Sequence, residues 1–207
     1  VLDMPLRERN ALLLAAGFAP RYSETQLDAP GMAAMQQAIT RVLEAHDPYP
    51  GVALDRHWNI VIANAAARRL VSIVPPDLRA LPHNLFRLGL HPHGIAACTS
   101  NFDEWGRYML RELQRLADAA IDPAVSALLD EVRSYPNVQA LLATPPQAAP
   151  ENLLLVPCVL DVAGQRLSLF TTLATFGSPR DVTLAELTVE LFYPADAATE
   201  AALRASA

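Results

Sequence analysis

The chain has 207 residues, of which 52% are hydrophobic and 18% are charged, and its formal net charge at pH 7 is −6. These values predict one folded domain with an additional helical segment, and they exclude an intrinsically disordered protein. All 16 basic residues are arginine, and the absence of lysine excludes Schiff-base catalysis and a lysine-bearing phosphate loop. The acidic balance also makes the chain, taken alone, a poor binding surface for DNA phosphates.

The glycines, the cysteines and the N-terminus narrow the class of protein further. No apolar stretch approaches the ~20 residues that cross a bilayer, and the N-terminus lacks a signal-peptide pattern, so we expect a cytoplasmic protein. The 8 glycines are too widely spaced for a dinucleotide-binding loop or a hydrolase nucleophile elbow. Cys98 and Cys158 lie far apart, which argues against a disulfide framework. Because the chain begins with Val1 and not with methionine, we expect a further segment upstream.

Two helices and a strand–turn–strand unit are predicted in the first third of the chain. Residues 5–20 and 31–50 are predicted to be helices, because apolar residues recur at helical spacing and proline or glycine marks the ends. Residues 52–54 and 58–63 are predicted to be short strands. Asn64 follows the second strand, where an N-cap of an alanine-rich helix is favoured over a ligand contact.

The middle third is predicted to be largely helical. Residues 84–90 form an apolar, strand-like run that leads into a loop. A helix from residue 103 to about residue 119 follows, with Asn101 as its predicted N-cap. Asp122 and Pro123 predict the N-cap and first turn of another helix, which ends near residue 135.

Three strands are predicted in the last third, over residues 152–162, 166–176 and 183–193. Ala163-Gly164 predicts the turn between the first two. With the two N-terminal strands, they predict an α+β domain with a mostly antiparallel sheet of five strands, helices packed on one face, and additional N-terminal helices.

The last predicted strand carries two glutamates on one side. Glu186, Thr188 and Glu190 alternate with apolar residues, as on a strand with one face toward water. We interpret these residues as the solvent-facing side and not as a pair of catalytic carboxylates.

Two strands before the helices and three after them resemble a PAS domain, a small sensor fold that holds a ligand between sheet and helices. Five segments, in order, are similar to the MmyB-like ligand-binding domain of XRE-family bacterial helix-turn-helix transcription regulators. They are RERNALLLAAGFAPRY, DRHWNIVIANAAARRL, NLFRLGLHPHGIA, NFDEWGRYMLREL and TFGSPRDVTLAELTVELFYPADAATEAALR. The resemblance covers nearly the whole chain, and the last segment is the most distinctive.

The resemblance implies a PAS-like pocket for a small apolar molecule, with a fatty acid as the ligand of the family, and no enzymatic activity. It also implies an upstream DNA-binding helix-turn-helix outside this chain, and a homodimer. On this interpretation residues 1–28 are a linker helix, residues 29–195 are the PAS-like ligand-binding domain and residues 196–207 are a C-terminal tail. Many relatives have histidine where this chain has Tyr108, so the polar end of a ligand would be recognised differently here.

Six residues are candidates for contacts with this ligand: Arg87, His91, Trp105, Tyr108, Leu169 and Phe170. Arg87 lies in an otherwise apolar run, so its guanidinium must reach water or a partner, either a bound carboxylate or an acceptor of the protein. We predict that His91 and Tyr108 share the polar end of the ligand with it, and that the other three form apolar walls. The sequence does not decide which face of the strand over 166–176 lines the pocket, because both faces are largely apolar. One face carries Leu167, Leu169 and Leu173, and the other carries Phe170 and Thr172.

A metal site is the alternative for the histidine-rich loop. His91, His93 and Cys98 lie close together in the sequence and are residue types that bind zinc. Two histidines separated by one residue point in opposite directions in an extended segment. We therefore favour a structural loop and predict no metal and no resident cofactor.

Three functions are compatible with these observations. The leading one is a ligand-sensing domain of a bacterial transcription regulator. The alternative is a PAS-like dimerisation or interaction module whose core is filled by its own side chains. A small metallo-enzyme that uses the histidine-rich loop is the third.

Overall fold

A five-stranded antiparallel sheet forms the centre of the fold in the computed structural model, which describes residues 4–79, 82–119, 122–146 and 155–206. The strands are β1 (Gly51–Leu54), β2 (Ile60–Ala63), β3 (Cys158–Val162), β4 (Gln165–Thr175) and β5 (Thr188–Pro194). Their order across the sheet is β2-β1-β5-β4-β3. The C-terminal β5 therefore lies in the middle, between β1 and β4. The predicted α+β, PAS-like fold is confirmed, with two strands before the central helices and three strands after them in one sheet.

Nine α-helices accompany the sheet within these described ranges. They are α1 (Leu6–Ala15), α2 (Ala33–Glu44), α3 (Ala65–Ser72), α4 (Leu85–Leu90), α5 (Phe102–Ala119), α6 (Pro123–Arg133), α7 (Pro136–Ala143), α8 (Val182–Ala185) and α9 (Ala197–Ala205). Helices α3 to α7 connect β2 to β3. The last helix, α9, lies in the predicted C-terminal tail and packs Leu203 against Leu160 and Leu169 of the sheet.

The hairpin between β3 and β4 follows the prediction from Ala163-Gly164. The φ angles of these two residues are 50° and 78°, and Val162 pairs with Gln165 across the turn. Positive φ at both central positions matches the right-handed twist of the flanking strands. Of the predicted strand over 152–162, residues 152–154 lie outside the described residues.

Asn64 is the N-cap of α3, as predicted, and it joins two further elements. Its side-chain oxygen accepts the N–H groups of Ala67, at 2.9 Å, and of Gly51, at 3.0 Å. Its side-chain nitrogen donates to the carbonyl oxygens of Leu43, at 3.0 Å, and Tyr49, at 2.8 Å. The residue thus ties the end of α2 and the start of β1 to α3.

Asn101 does not cap α5 with its side chain, and this prediction is wrong. The side chain donates to the Pro157 carbonyl, at 2.8 Å, and accepts the Val159 N–H, at 3.0 Å. It therefore anchors the start of α5 to β3. The helix itself lies where it is predicted, and Asp122 caps α6 as expected, accepting the Ala124 N–H at 2.9 Å.

The strand-like run over residues 84–90 is the helix α4. Its N-cap is Asn84, which accepts the N–H groups of Phe86, at 3.1 Å, and Arg87, at 3.3 Å. Capping and tertiary packing override the β-like composition of this short segment. The predicted strand over 58–63 is also shorter than expected, because Trp58 has a φ of 64° in the turn before β2.

The predicted strand over 183–193 begins instead with a helical turn, α8. Asp181 caps this turn by accepting the Thr183 N–H at 2.9 Å, and it also accepts the Ser23 hydroxyl at 2.8 Å. Glu186 follows the turn and binds Arg7 of α1, with Nε–Oε1 and Nη2–Oε2 distances of 2.6 and 2.9 Å. The prediction that Glu186 and Glu190 share one face of a strand is therefore wrong.

Both faces of the sheet are covered in its centre. On one face, Ile39 and Leu43 of α2 form a buried cluster with Ala53, Leu187 and Val189. Alternation along the strands places the neighbouring residues on the opposite face, toward α3, α4 and α5.

Candidate functional site

A cavity of about 300 Å³ lies between the sheet and the helices α3, α4 and α5. This volume is at the lower end of the range of small-molecule sites, which are concave and mostly apolar. The cavity is lined largely by aliphatic and aromatic side chains. We take it as the candidate functional site of the domain.

The floor of the cavity is one face of the sheet. It is formed by Val52, Ile60, Cys158, Leu160, Leu169, Thr171, Glu190 and Phe192. The register explains this set, because Cys158 pairs with Leu169, and Thr171 with Phe192. The side chains of directly paired residues lie on the same face.

The face of β4 that sequence reasoning left open is settled by these pairs. Leu169 belongs to the cavity face, whereas the ring of Phe170 stacks on Tyr193 on the other face, with ring centroids 5.5 Å apart. Leu173 lies on the cavity face by alternation but is 54% exposed, which places it outside the enclosed part. The set with Leu167 and Leu169 therefore faces the helices.

The roof of the cavity comes from three helices. Its members are Ala67, Leu70, Val71, Leu85, Leu88, Gly89, Trp105, Tyr108 and Met109. Gly89 leaves room for two side chains of α5, because a Cβ atom there would lie 3.2 Å from Cη2 of Trp105 and 3.4 Å from Cε of Met109. The absence of a side chain on α4 thus lets the indole of α5 lie close to the α4 backbone.

Glu190 is an acidic residue in the apolar lining. It is only 7% exposed, and its Oε2 atom has no hydrogen-bond partner among the described residues. Burial disfavours the ionised carboxylate and raises the pKa of Glu190 to about 7, while the neighbouring Thr171 opposes the rise. The carboxyl group of Glu190 therefore holds its proton to a higher pH than an exposed glutamate does.

Two other titratable side chains of the lining, Tyr108 and Cys158, lie near Glu190 and interact with its charge. Burial is the main cause that raises the pKa of Tyr108, and the nearby Glu112 and Glu190 carboxylates add to it. Burial also raises the pKa of the Cys158 thiol to about 12. Both groups are therefore neutral at pH 7, and neither supplies a positive charge for Glu190.

Four of the six predicted contact residues line the cavity, namely Trp105, Tyr108, Leu169 and Phe170. Phe170 does so at the edge, since its ring lies on the opposite face of the sheet. Arg87 and His91 are outside the lining. Arg87 points away from the cavity and forms an ion pair with Glu131, with an Nη2–Oε2 distance of 2.7 Å.

The histidine-rich loop has partners within the protein. His91 Nδ1 accepts the His93 N–H at 3.1 Å, and the His91 ring meets Tyr135 edge-on, with centroids 4.9 Å apart. Cys98 Sγ donates to the Ile95 carbonyl at 3.2 Å. The described residues contain no group of three or more His, Cys, Asp and Glu side chains with the geometry of a metal site.

The sequence analysis did not identify Glu190 as a cavity residue, because it placed Glu190 on the solvent-facing side of its strand. The error comes from treating β5 as a half-exposed strand, whereas β5 is central and covered on both faces. In a sheet covered on both sides, polar alternation no longer indicates solvent. The pairing of β5 with both β1 and β4 was the signal that could have identified it, and that signal is not local in sequence.

The chain is similar to a known protein family and to solved structures. The model of the family described as MmyB-like transcription regulator ligand binding domain matches residues 35–205. Among solved structures, the PAS domain of BvgS from Bordetella pertussis is similar, with 14% identity and a TM-score of 0.35, covering 84% of this chain and 95% of that chain. No curated protein matches significantly. Within the described ranges, no helix has the length and apolarity to span a bilayer.

Proposed function

The chain belongs to the MmyB-like transcription regulator ligand binding domain family, and from this premise we propose that it is the sensor domain of a bacterial helix-turn-helix regulator of the XRE type. In this proposal a small apolar molecule occupies the cavity and modulates DNA binding by a helix-turn-helix outside this chain. The protein acts in the cytoplasm, as a homodimer, without enzymatic activity.

The cavity is the observation that carries this proposal. A cavity of about 300 Å³ between the sheet and the helices, lined mainly by apolar side chains, has the size and the character of a small-molecule site. An interaction module with a filled core would not need it. The cavity therefore favours the sensor over the dimerisation module.

A contact between α1 and the segment that leads into β5 supports a route for the signal. Arg7 of α1 binds Glu186, just before β5, and it also binds Glu24, with an Nη1–Oε2 distance of 2.9 Å. Four residues after Glu186, Glu190 lies in the cavity. Because a ligand shifts an equilibrium only by binding two states unequally, the proposal requires that occupancy at β5 changes how α1 is held.

The identity of the ligand is tested on the purified protein. Native mass spectrometry, followed by organic extraction and identification of the released molecule, is expected to find one apolar molecule per chain. The sequence resemblance implies a fatty acid, and the identity of the released molecule tests that implication against ligands with other head groups. If the protein is empty and binds none of the apolar probes described below, the sensor proposal fails and the dimerisation module becomes the better explanation.

A further inference from the structure

The cavity contains one buried acceptor that the protein leaves without a partner. Glu190 Oε2 has no hydrogen bond within the described part of the chain, and the residue is 93% withdrawn from solvent, given its 7% exposure. Buried polar atoms are nearly always hydrogen-bonded, and exceptions often belong to sites that a missing group completes. A ligand bound in the cavity can supply the hydrogen-bond donor that Glu190 Oε2 lacks.

Among the described residues that line the cavity, none carries a positive charge that would compensate Glu190. The described lining residues include neither arginine nor histidine, and the chain has no lysine. The other polar side-chain groups of the lining are the Thr171 hydroxyl, the Tyr108 phenol, the Cys158 thiol and the Trp105 indole N–H, all of them uncharged. An uncompensated buried carboxylate is costly, so a donor or cation from outside would gain strongly by meeting it.

We propose that the cavity selects an apolar molecule that carries a hydrogen-bond donor, foremost a protonated primary amine, which binds the carboxylate of Glu190. This inference rests on the proposed sensor function and specifies the ligand class. An ammonium group forms short, charge-assisted hydrogen bonds with a carboxylate. An anionic head group would instead meet a like charge whenever Glu190 is ionised, and no cationic side chain stands among the described lining residues to offset it.

The volume of the cavity sets the size of suitable probes. A dry cavity of about 150 Å³ accepts a benzene molecule, so a cavity of about 300 Å³ accommodates an alkyl chain of roughly eight carbons with a small head group. We therefore choose n-octylamine, n-octanol and n-octanoate. They share one chain and differ in the head group, which is cationic, neutral or anionic at pH 7.

The experiment measures the dissociation constants of the three probes by isothermal titration calorimetry, on protein freed of any bound molecule by extraction. We expect octylamine to bind with a stoichiometry of one and at least about tenfold more tightly than octanoate, with octanol between them. In Glu190→Gln, octylamine should lose at least about tenfold in affinity, and the discrimination against octanoate should disappear.

The matched control is Glu44→Gln, the same change at an exposed glutamate at the end of α2. It should leave all three dissociation constants unchanged. Circular dichroism and thermal melting check the fold of each variant. If Glu190→Gln does not fold, the ranking of the three probes on the unmodified protein decides the proposal alone.

The outcomes separate this inference from the sensor function. If octanoate binds as tightly as octylamine, or if Glu190→Gln retains the affinity for octylamine, the amine assignment is overturned while the apolar site stands. If none of the three probes binds at millimolar concentration, the sensor function is overturned together with the inference.

Discussion

The guanidinium of Arg87 and the carboxylate of Glu131 form a two-pronged ion pair that joins α4 to α6. The Nε–Oε1 and Nη2–Oε2 distances are both 2.7 Å. The Tyr135 hydroxyl donates to the same carboxylate, also at 2.7 Å, and the His91 ring packs on Tyr135. Arg87 and His91, two of the three residues predicted to bind the polar end of a ligand, thus belong to a polar cluster outside the cavity, whereas the third, Tyr108, lines it.

Arg87→Ala is expected to leave ligand binding intact. Because the guanidinium already has a protein partner outside the cavity, the dissociation constants of octanol and octanoate should change by less than about twofold. Both partners are more than a third exposed, with side-chain exposures of 45% and 37%, so the free energy of unfolding should fall by only about 0.5–1 kcal/mol. Calorimetry and urea denaturation test this, with Arg115→Ala as an exposed control. A tenfold loss of affinity for octanoate in Arg87→Ala would show instead that Arg87 contributes to ligand binding.

Glu190→Gln is expected to flatten the dependence of stability on pH. The ordinary pKa of glutamate, 4.5, applies to the unfolded chain, and burial raises the pKa to about 7 in the folded protein. Between these two values the folded state holds a proton that the unfolded state has lost, so stability falls as pH rises, by roughly 3 kcal/mol in total. The penalty is absent below the lower value and fully present above the upper one.

This prediction is measured by urea denaturation of the ligand-free protein at several pH values between about 5 and 8. Tyr108 and Cys158, which also face Glu190, have raised pKa values and do not titrate in this window. The variant should be more stable than the unmodified protein at the upper end of the range. Parallel curves for the two proteins would contradict the assigned burial of the charge, and Glu44→Gln should give such a parallel curve.

Asn64→Ala is expected to destabilise the domain by about 2–4 kcal/mol. The residue is 2% exposed, and its side chain makes four hydrogen bonds to the backbone of α2, of the connection between α2 and β1, of β1 and of α3. Its removal leaves buried donors and acceptors unpaired, which costs more than the bonds themselves contribute. Denaturant unfolding measures the loss. Ser72→Ala, at an exposed residue of α3, should change stability by less than about 0.5 kcal/mol, and an equal loss in both variants would refute the special role of Asn64.

Gly89→Ala is expected to weaken ligand binding without weakening the fold. The added methyl group would press on Trp105 from 3.2 Å and narrow the roof of the cavity, while alanine favours the helix by up to about 1 kcal/mol over glycine. Octanol should bind several-fold more weakly, at an unchanged or higher melting temperature. Gly31→Ala has open space around the added carbon and serves as the control. Unchanged octanol binding in Gly89→Ala would show that the probe does not occupy this part of the cavity.

Local patterns in the sequence were sufficient for most of the secondary structure. The hairpin at Ala163-Gly164, the caps at Asn64 and Asp122, and the long helix α5 are all confirmed, because each depends on residues within a few positions of one another. The two-plus-three arrangement of strands and the family resemblance also came from the order of segments along the chain. Of the candidate site, Trp105 could be placed on the apolar face of α5 from helical periodicity, whereas the face of β4 that carries Leu169 followed only from the strand pairing.

The tertiary structure alone decided which polar groups meet the cavity. The sequence predicts Asn101 to be a helix cap, but its side chain is hydrogen-bonded to the start of β3. The sequence predicts Glu190 to face solvent, but β5 is a central strand that pairs with β1 and β4, and Glu190 lines the cavity beneath α5. Burial and electrostatic environment depend on residues that are distant in sequence, and a one-dimensional pattern carries no information about what covers a strand. Local patterns thus predicted the α+β fold, whereas the burial of the Glu190 carboxyl follows from helices and strands that are distant in the sequence and pack around it.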